Sequence, residues 1–262
     1  MGLAVSIAAG AAASGAAPAG AAPSTADWTA LAKLPDWSGV WTPDQSDQMR
    51  QMRSNPPPWT PDAARKVASL EAEERAGRPK GLFIDCLPEA MPGWMLVSHN
   101  AMEALFTPGR VTLLGESDGN RLRRIYTDGR VHSDDPDPSF HGESIGHWEG
   151  DALVVDTIAV TPETYIAISE SVGLPNGGDM RIVERIRLAG PDLLADDLEI
   201  TAPHVLTRPW KTTRLFHRLR GRGTDIVEGV CLQGFFKHGK NAEGDPAFVP
   251  RKVENGNVLP DT

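Results

Sequence analysis

The chain is poor in cysteine, with only Cys86 and Cys231 among its 262 residues. That scarcity excludes a zinc ribbon and a disulfide-dense scaffold. No apolar run reaches the roughly 20 residues that cross a bilayer as a helix. Basic residues are outnumbered 26 to 35, and a net charge of −9 argues against nucleic-acid or anionic-membrane partners, which call for a basic face. Familiar catalytic signatures are missing as well. There is no Gly-x-Ser-x-Gly elbow, no phosphate loop, and no Gly-x-Gly-x-x-Gly following a strand, so an α/β-hydrolase and a nucleotide cofactor are both disfavoured. The histidines His132, His141 and His147 fall close together but lack recurring ligand spacing, and no metal is expected.

What is present is an ordinary globular composition, 40% hydrophobic and 23% charged. The length suits one large domain, and all-β barrels often reach this size as a unit. Residues 1–26 are almost only Ala, Gly, Pro and Ser, with a signal-like apolar stretch from Leu3 to Ala13 and A-x-A options at Ala17, Ala19 and Ala21. No Lys or Arg precedes Lys33. The expectation is export to the periplasm or outside; the competing reading is a plain extension of a cytoplasmic protein. In an oxidising compartment Cys86 and Cys231 would close a long loop as a disulfide, the alternative being two buried thiols.

Residues 27–94 read as a Trp- and Pro-rich wrap carrying one helix. Thr60-Pro61-Asp62 supplies an N-cap, a first-turn proline and a first-turn acid, and Gly77 with Pro79 ends the helix after about Arg75. From about Met95 the pattern turns to period two, with turns at Pro108-Gly109, Asp118-Gly119, Asp128-Gly129 and Glu149-Gly150. Strands are expected at 122–126, 144–148, 153–158, 181–188, 193–200, 210–218 and 226–232. Hairpin-linked short strands predict an all-β, antiparallel up-and-down barrel of about 8–10 strands over 95–236. Two long loops interrupt it, 128–143 and 161–179, and 237–262 reads as a polar tail.

Two resemblances follow from motifs. Ser38-Gly39-Val40-Trp41 carries the Gly-x-Trp element that resembles the first strand of lipocalins and other calycins, implying a calycin-like barrel. Pro35–Trp41, Arg123–Arg130, Gly146–Asp151, Val154–Thr157 and Thr207–Trp210 resemble a large, little-characterised family of exported bacterial proteins. That resemblance implies export and a barrel, and transfers no activity. Asn176–Asp179 stands where such proteins carry a His-Ser-Glu segment, so no histidine role is implied there.

Polar residues on otherwise apolar strand faces are the informative ones. Alternation places Glu184 with Ile182 and Ile186, Arg214 with Trp210 and Phe216, Asp156 with Val154 and Ile158, and Glu228 with Ile226 and Val230. The same reasoning sends Trp148 inward with Ser144 and Gly146, and aligns Tyr126 with Arg124 and Leu122. Buried carboxylates need partners or take raised pKa values. The expectation is a cofactor-independent enzyme acting on a small aromatic or polyhydroxylated molecule by elimination, dehydration or isomerisation. Tyr126 or His147 would be the acid and Asp156 or Glu184 the base, with Arg124, Trp148, Trp210, Arg214 and Glu228 binding. The alternatives are an exported binding protein for a small hydrophobic ligand, without catalysis, and a filled structural barrel.

Overall fold

The computed structural model describes residues 24–82, 87–116, 121–221, 223–229, 236–240, 244, 246–250, 253–254 and 257–258. Cys86 and Cys231 lie outside the described residues, and so does their pairing. The helix expected from Thr60 is α3 (Pro61–Arg75), with Thr60 Oγ1 accepting from the Ala63 amide at 3.3 Å. Three further helices are present among the described residues. α1 (Thr25–Leu31) opens on a capping box between Ser24 and Asp27, and α2 (Gln45–Ser54) is capped by Asp44. α4 (Ala90–Val97) is buried along its whole length. Its sequence, AMPGWMLV, is apolar all round and carries no stripe for periodicity to detect.

Among the described residues, nine strands close the barrel. They are β1 (Val40–Pro43), β2 (Met102–Thr107), β3 (Arg110–Gly115), β4 (Leu122–Tyr126), β5 (Glu143–Glu149), β6 (Ala152–Ile158), β9 (Arg181–Gly190), β10 (Leu193–Thr201) and β11 (Trp210–Leu219). Their order is β1-β11-β10-β9-β6-β5-β4-β3-β2, closing on β1. A short hairpin, β7 (Tyr165–Ala167) with β8 (Gly173–Pro175), fills the long connection from β6 to β9. In the stretch read as a polar tail, β12 (Phe236–Lys240) pairs with β13 (Pro246–Pro250), and β14 (Val253–Glu254) with β15 (Asn257–Val258).

The fold is an all-β barrel, as the turn spacing predicts, and calycin-like, as the Gly-x-Trp resemblance implies, with one topological departure. Around a closed ring each antiparallel neighbour reverses direction, and nine reversals cannot return to the starting sense. One pair must be parallel. It is β4–β5, joined only through Ile125↔Ser144 and Tyr126↔Ile145. A parallel pair needs a crossover, so residues 127–142 travel back along the outside of the barrel before β5 begins. The contact between β1 and β2 is equally short, Val40↔Glu103 and Trp41↔Met102.

Both ends are stopped. At one end Trp37, ahead of β1, packs edge-on against Phe106 and Trp148, each at 5.5 Å between ring centroids. At the other end α4 seats Trp94 against Gly115, where an added Cβ would lie 2.6 Å from the indole ring. Glycine is required at that point for the helix to approach. Trp37, Trp41 and Trp210 are essentially inaccessible, and each buried indole contributes about 4–6 kcal/mol of hydrophobic stabilisation before entropy.

Candidate functional site

Between the two stoppers the barrel carries a polar layer. Arg123 on β4 faces inward with no exposure and reaches Glu184 on β9 through both terminal nitrogens, one bond being 2.8 Å. It also donates to Thr157 Oγ1 at 2.9 Å and Ser144 Oγ at 3.2 Å, and those hydroxyls meet each other at 2.9 Å. A bidentate pair with its remaining donors satisfied is the geometry a buried ion pair needs. Arg214 on β11 is equally buried. It donates to the carbonyls of Leu96 and Thr213 at 3.1 and 2.8 Å and to Thr212 Oγ1 at 2.6 Å, with Met52 Sδ at 3.4 Å. Burial lowers its pKa to about 10, against the pull of Asp47 and Asp196.

Asp196 on β10 is the exception in this layer. It sits opposite Ile186 and Arg214 across the ladders, is fully buried, and neither carboxyl oxygen has a hydrogen-bond partner. Burial raises its pKa well above the usual carboxylate range, and Glu184 adds to the effect, while Arg123 and Arg214 oppose it. Arg123 is already engaged by Glu184, so among the described residues Asp196 is left without an ion-pair partner. Asp196 and Arg123 are the two charged residues of this layer that the sequence reading missed. The signal for Asp196 was there, since Leu194, Leu198 and Ile200 share its alternation and all are buried.

The remaining sequence-predicted residues divide. Glu184, Arg214, Trp210 and Trp148 point inward as alternation predicts, though Arg214 pairs with no carboxylate among the described residues. Asp156 does not. β6 is read one residue out of register, its inward face being Leu153, Val155 and Thr157. Asp156 lies on the outer wall, bidentate with Arg181 at 2.7 Å, which is the first cause of its lowered pKa. The same one-residue error affects β4, where Arg123 and Ile125 face in while Arg124 and Tyr126 face out. His147 is exposed and contacts Glu149 at 3.1 Å. Glu228 is exposed and belongs to no strand, so the expected inward arrangement of 226–232 fails for its described part.

The outward turn of Arg124 and Tyr126 brings them to a different place. A cleft of about 740 Å³ opens between β4, the crossover and the approach to β5. Leu122 and Phe140, both exposed, give it apolar surface, and Arg124, Tyr126, Asp135, Asp137 and His141 give it polar groups. Arg130, held by Asp128, lies over the Tyr126 ring at 3.8 Å. The crossover is fastened by Glu143, which accepts from the Ser133 amide and hydroxyl at 3.0 and 2.7 Å, and by His132, which meets Glu143 at 2.8 Å and Asp156 at 3.5 Å. The His141 ring lies tilted against Trp94, 5.3 Å between centroids. Burial, and then the positive charges of Arg123 and Arg121, lower its pKa to about 4, so the imidazole is neutral near pH 7.

The cleft rim is locally strained. Ala90 and Ala159 adopt φ of 58° and 53°, a conformation that costs non-glycine residues about 1 kcal/mol or more. Both border the same rim segment: the Met91 amide donates to the Phe140 carbonyl at 2.9 Å, and the Ser139 amide to the Ala159 carbonyl at 3.0 Å. Gly142 (φ 66°) completes the rim, where a Cβ would lie 2.4 Å from the Ile158 carbonyl oxygen. Strain gathered on one rim is a common mark of a functional site.

No family model and no curated protein sequence matches the chain. Among solved structures, the REP1-NXSQ fatty acid transporter is similar at a TM-score of 0.35 and 8% identity, over 71% of this chain and 97% of that one. So distant a likeness carries no argument about ligand. Among the described residues, no group of three His, Cys, Asp or Glu side chains could hold a metal ion, and no helix is long and apolar enough to cross a membrane.

Proposed function

We propose that this chain is an exported barrel that binds one small organic molecule, without transforming it, in the cleft beside the β4–β5 pair. The cleft itself carries the reading. Its volume of about 740 Å³ falls within the range of small-molecule sites, and it joins apolar surface to a few convergent polar groups. The interior supports this placement by exclusion: it is stopped at both ends, Arg123 and Glu184 satisfy one another, and Arg214 is held by carbonyls and a hydroxyl. The leader-like N-terminus and the motif resemblance support a place outside the cytoplasm and kinship with the exported barrels. Acid–base catalysis is the second reading, favoured by one observation: His141 is held as a free base in the same cleft as Tyr126.

One experiment separates the two. Purified protein is titrated with small aromatic and sugar-derived compounds while tryptophan fluorescence is followed, Trp94 being the reporter through its contact with His141. Each mixture is then examined by mass spectrometry. Binding alone predicts a quench with unchanged ligand mass. A changed mass would replace the binding reading with the catalytic one. A quench that survives Tyr126→Ala with Phe140→Ala would place the ligand elsewhere and end the cleft assignment.

A further inference from the structure

We infer that the ligand of this cleft is a dipolar ion with an apolar body, of which an aromatic amino acid is the simplest example; the inference rests on the cleft being the binding site. The argument is one of charge. Arg124, on the strand wall, makes no hydrogen bond or ion pair among the described residues. Nor do Asp135 and Asp137, which come from the crossover. Opposite charges thus line one cavity without meeting each other. Of the other titratable groups there, Arg121 is engaged in its own contacts, Glu143 is held by Ser133 and His132, and His141 is neutral near pH 7.

Selection against singly charged ligands follows. A simple anion drawn to Arg124 would face two aspartates, and a simple cation drawn to the aspartates would face Arg124. A ligand with a carboxylate at one end and an ammonium at the other satisfies both walls, and desolvation in a partly enclosed cleft strengthens each contact. Leu122, Phe140 and Pro136 supply the surface for the apolar body.

The test compares L-phenylalanine with three relatives of the same shape: 3-phenylpropanoate, which lacks the ammonium, phenylalaninamide, which lacks the carboxylate, and 3-phenylpropanol, which lacks both charges. Calorimetry should rank L-phenylalanine tightest by about tenfold over either singly charged relative, as hydrogen bonds to charged groups predict. Arg124→Ala should erase the preference over the amide, and Asp135→Asn with Asp137→Asn the preference over the propanoate. Equal binding of all four compounds would overturn the dipolar inference while leaving the cleft occupied. Binding of L-phenylalanine that survives Tyr126→Ala with Phe140→Ala would remove the cleft itself. Failure of L-phenylalanine to bind where a singly charged or neutral compound does would overturn the ligand class alone, and failure of all four would overturn it for aromatic bodies.

Discussion

Replacing Asp196 with Asn should make the protein more stable, by an amount that depends on pH. In the folded barrel Asp196 is fully buried, without a hydrogen-bond partner among the described residues, and burial holds its pKa well above the usual carboxylate range. In the unfolded chain it ionises near pH 4, as an ordinary aspartate does. Above about pH 4 the native state therefore binds one more proton than the unfolded state, and stability falls by about 1.4 kcal/mol per pH unit until Asp196 ionises in the folded protein. His141 acts in the opposite sense: its folded pKa is lowered to about 4. Between about pH 4 and 6.5 the unfolded chain takes the His141 proton first, so His141 alone makes stability rise with pH. The two slopes oppose each other there, and the unmodified protein should look flat. Asp196→Asn uncovers the effect, because a difference curve cancels His141. Urea denaturation of both proteins at about pH 4, 5, 6 and 7 should give a gap near zero at the acid end that widens with pH, by up to about 1.4 kcal/mol per unit, until Asp196 ionises in the folded barrel. A constant gap, or a variant less stable throughout, would mean that Asp196 is charged or partnered in the folded state, and the reasoning would fail.

Arg123→Met should cost about 3–5 kcal/mol in urea denaturation, since it strands the Glu184 carboxylate inside the barrel; the double change Arg123→Met with Glu184→Leu should recover most of that loss, and no recovery would show that the pair is not self-contained. His141→Phe should leave stability at pH 7 within about 1 kcal/mol and raise it progressively below about pH 6.5, as measured by thermal melts, because the imidazole no longer has to stay neutral. Gly142→Ala should destabilise by more than about 2 kcal/mol, from a positive φ combined with contact against the Ile158 carbonyl. Asp156→Asn, on the outer wall, should cost no more than about 1 kcal/mol in the same denaturation assay, and a larger loss would contradict its surface placement.

Much of the barrel was legible because its signals are local. Thr60-Pro61-Asp62 starts a helix wherever it stands, and the alternation of 181–188 and 210–218 placed Glu184 and Arg214 correctly. The errors in the two misread strands have different causes. Around β6, His132 of the crossover sits against the outer face at Asp156, and Leu153-Val154-Val155 reads apolar in either register. In β4 the adjacent Arg123 and Arg124 look alike, and the one that faces inward is chosen by Glu184, 61 residues further along the chain. No window of the sequence contains that choice. The cleft was invisible for a related reason: it exists only because an odd number of strands forces a parallel pair and its crossover. Asp196 lay in a readable alternation, but its meaning depends on Arg123 being engaged elsewhere.

The two short ladders, β4 against β5 and β1 against β2, divide the barrel like the two valves of a shell. One valve is β2, β3 and β4; the other is the remaining six strands, whose own ladders are long. Arg123 belongs to the small valve, while its partners Ser144, Thr157 and Glu184 all belong to the large one, so a single side chain acts as the clasp. Fewest backbone bonds break when the valves part along these margins, and local opening follows the margins of lowest cost. One of them borders the cleft beside β4 and β5. Parting there should widen that cleft, and any solute seated in it that holds the margin shut should slow amide exchange at Ile125, Tyr126, Ser144 and Ile145 together.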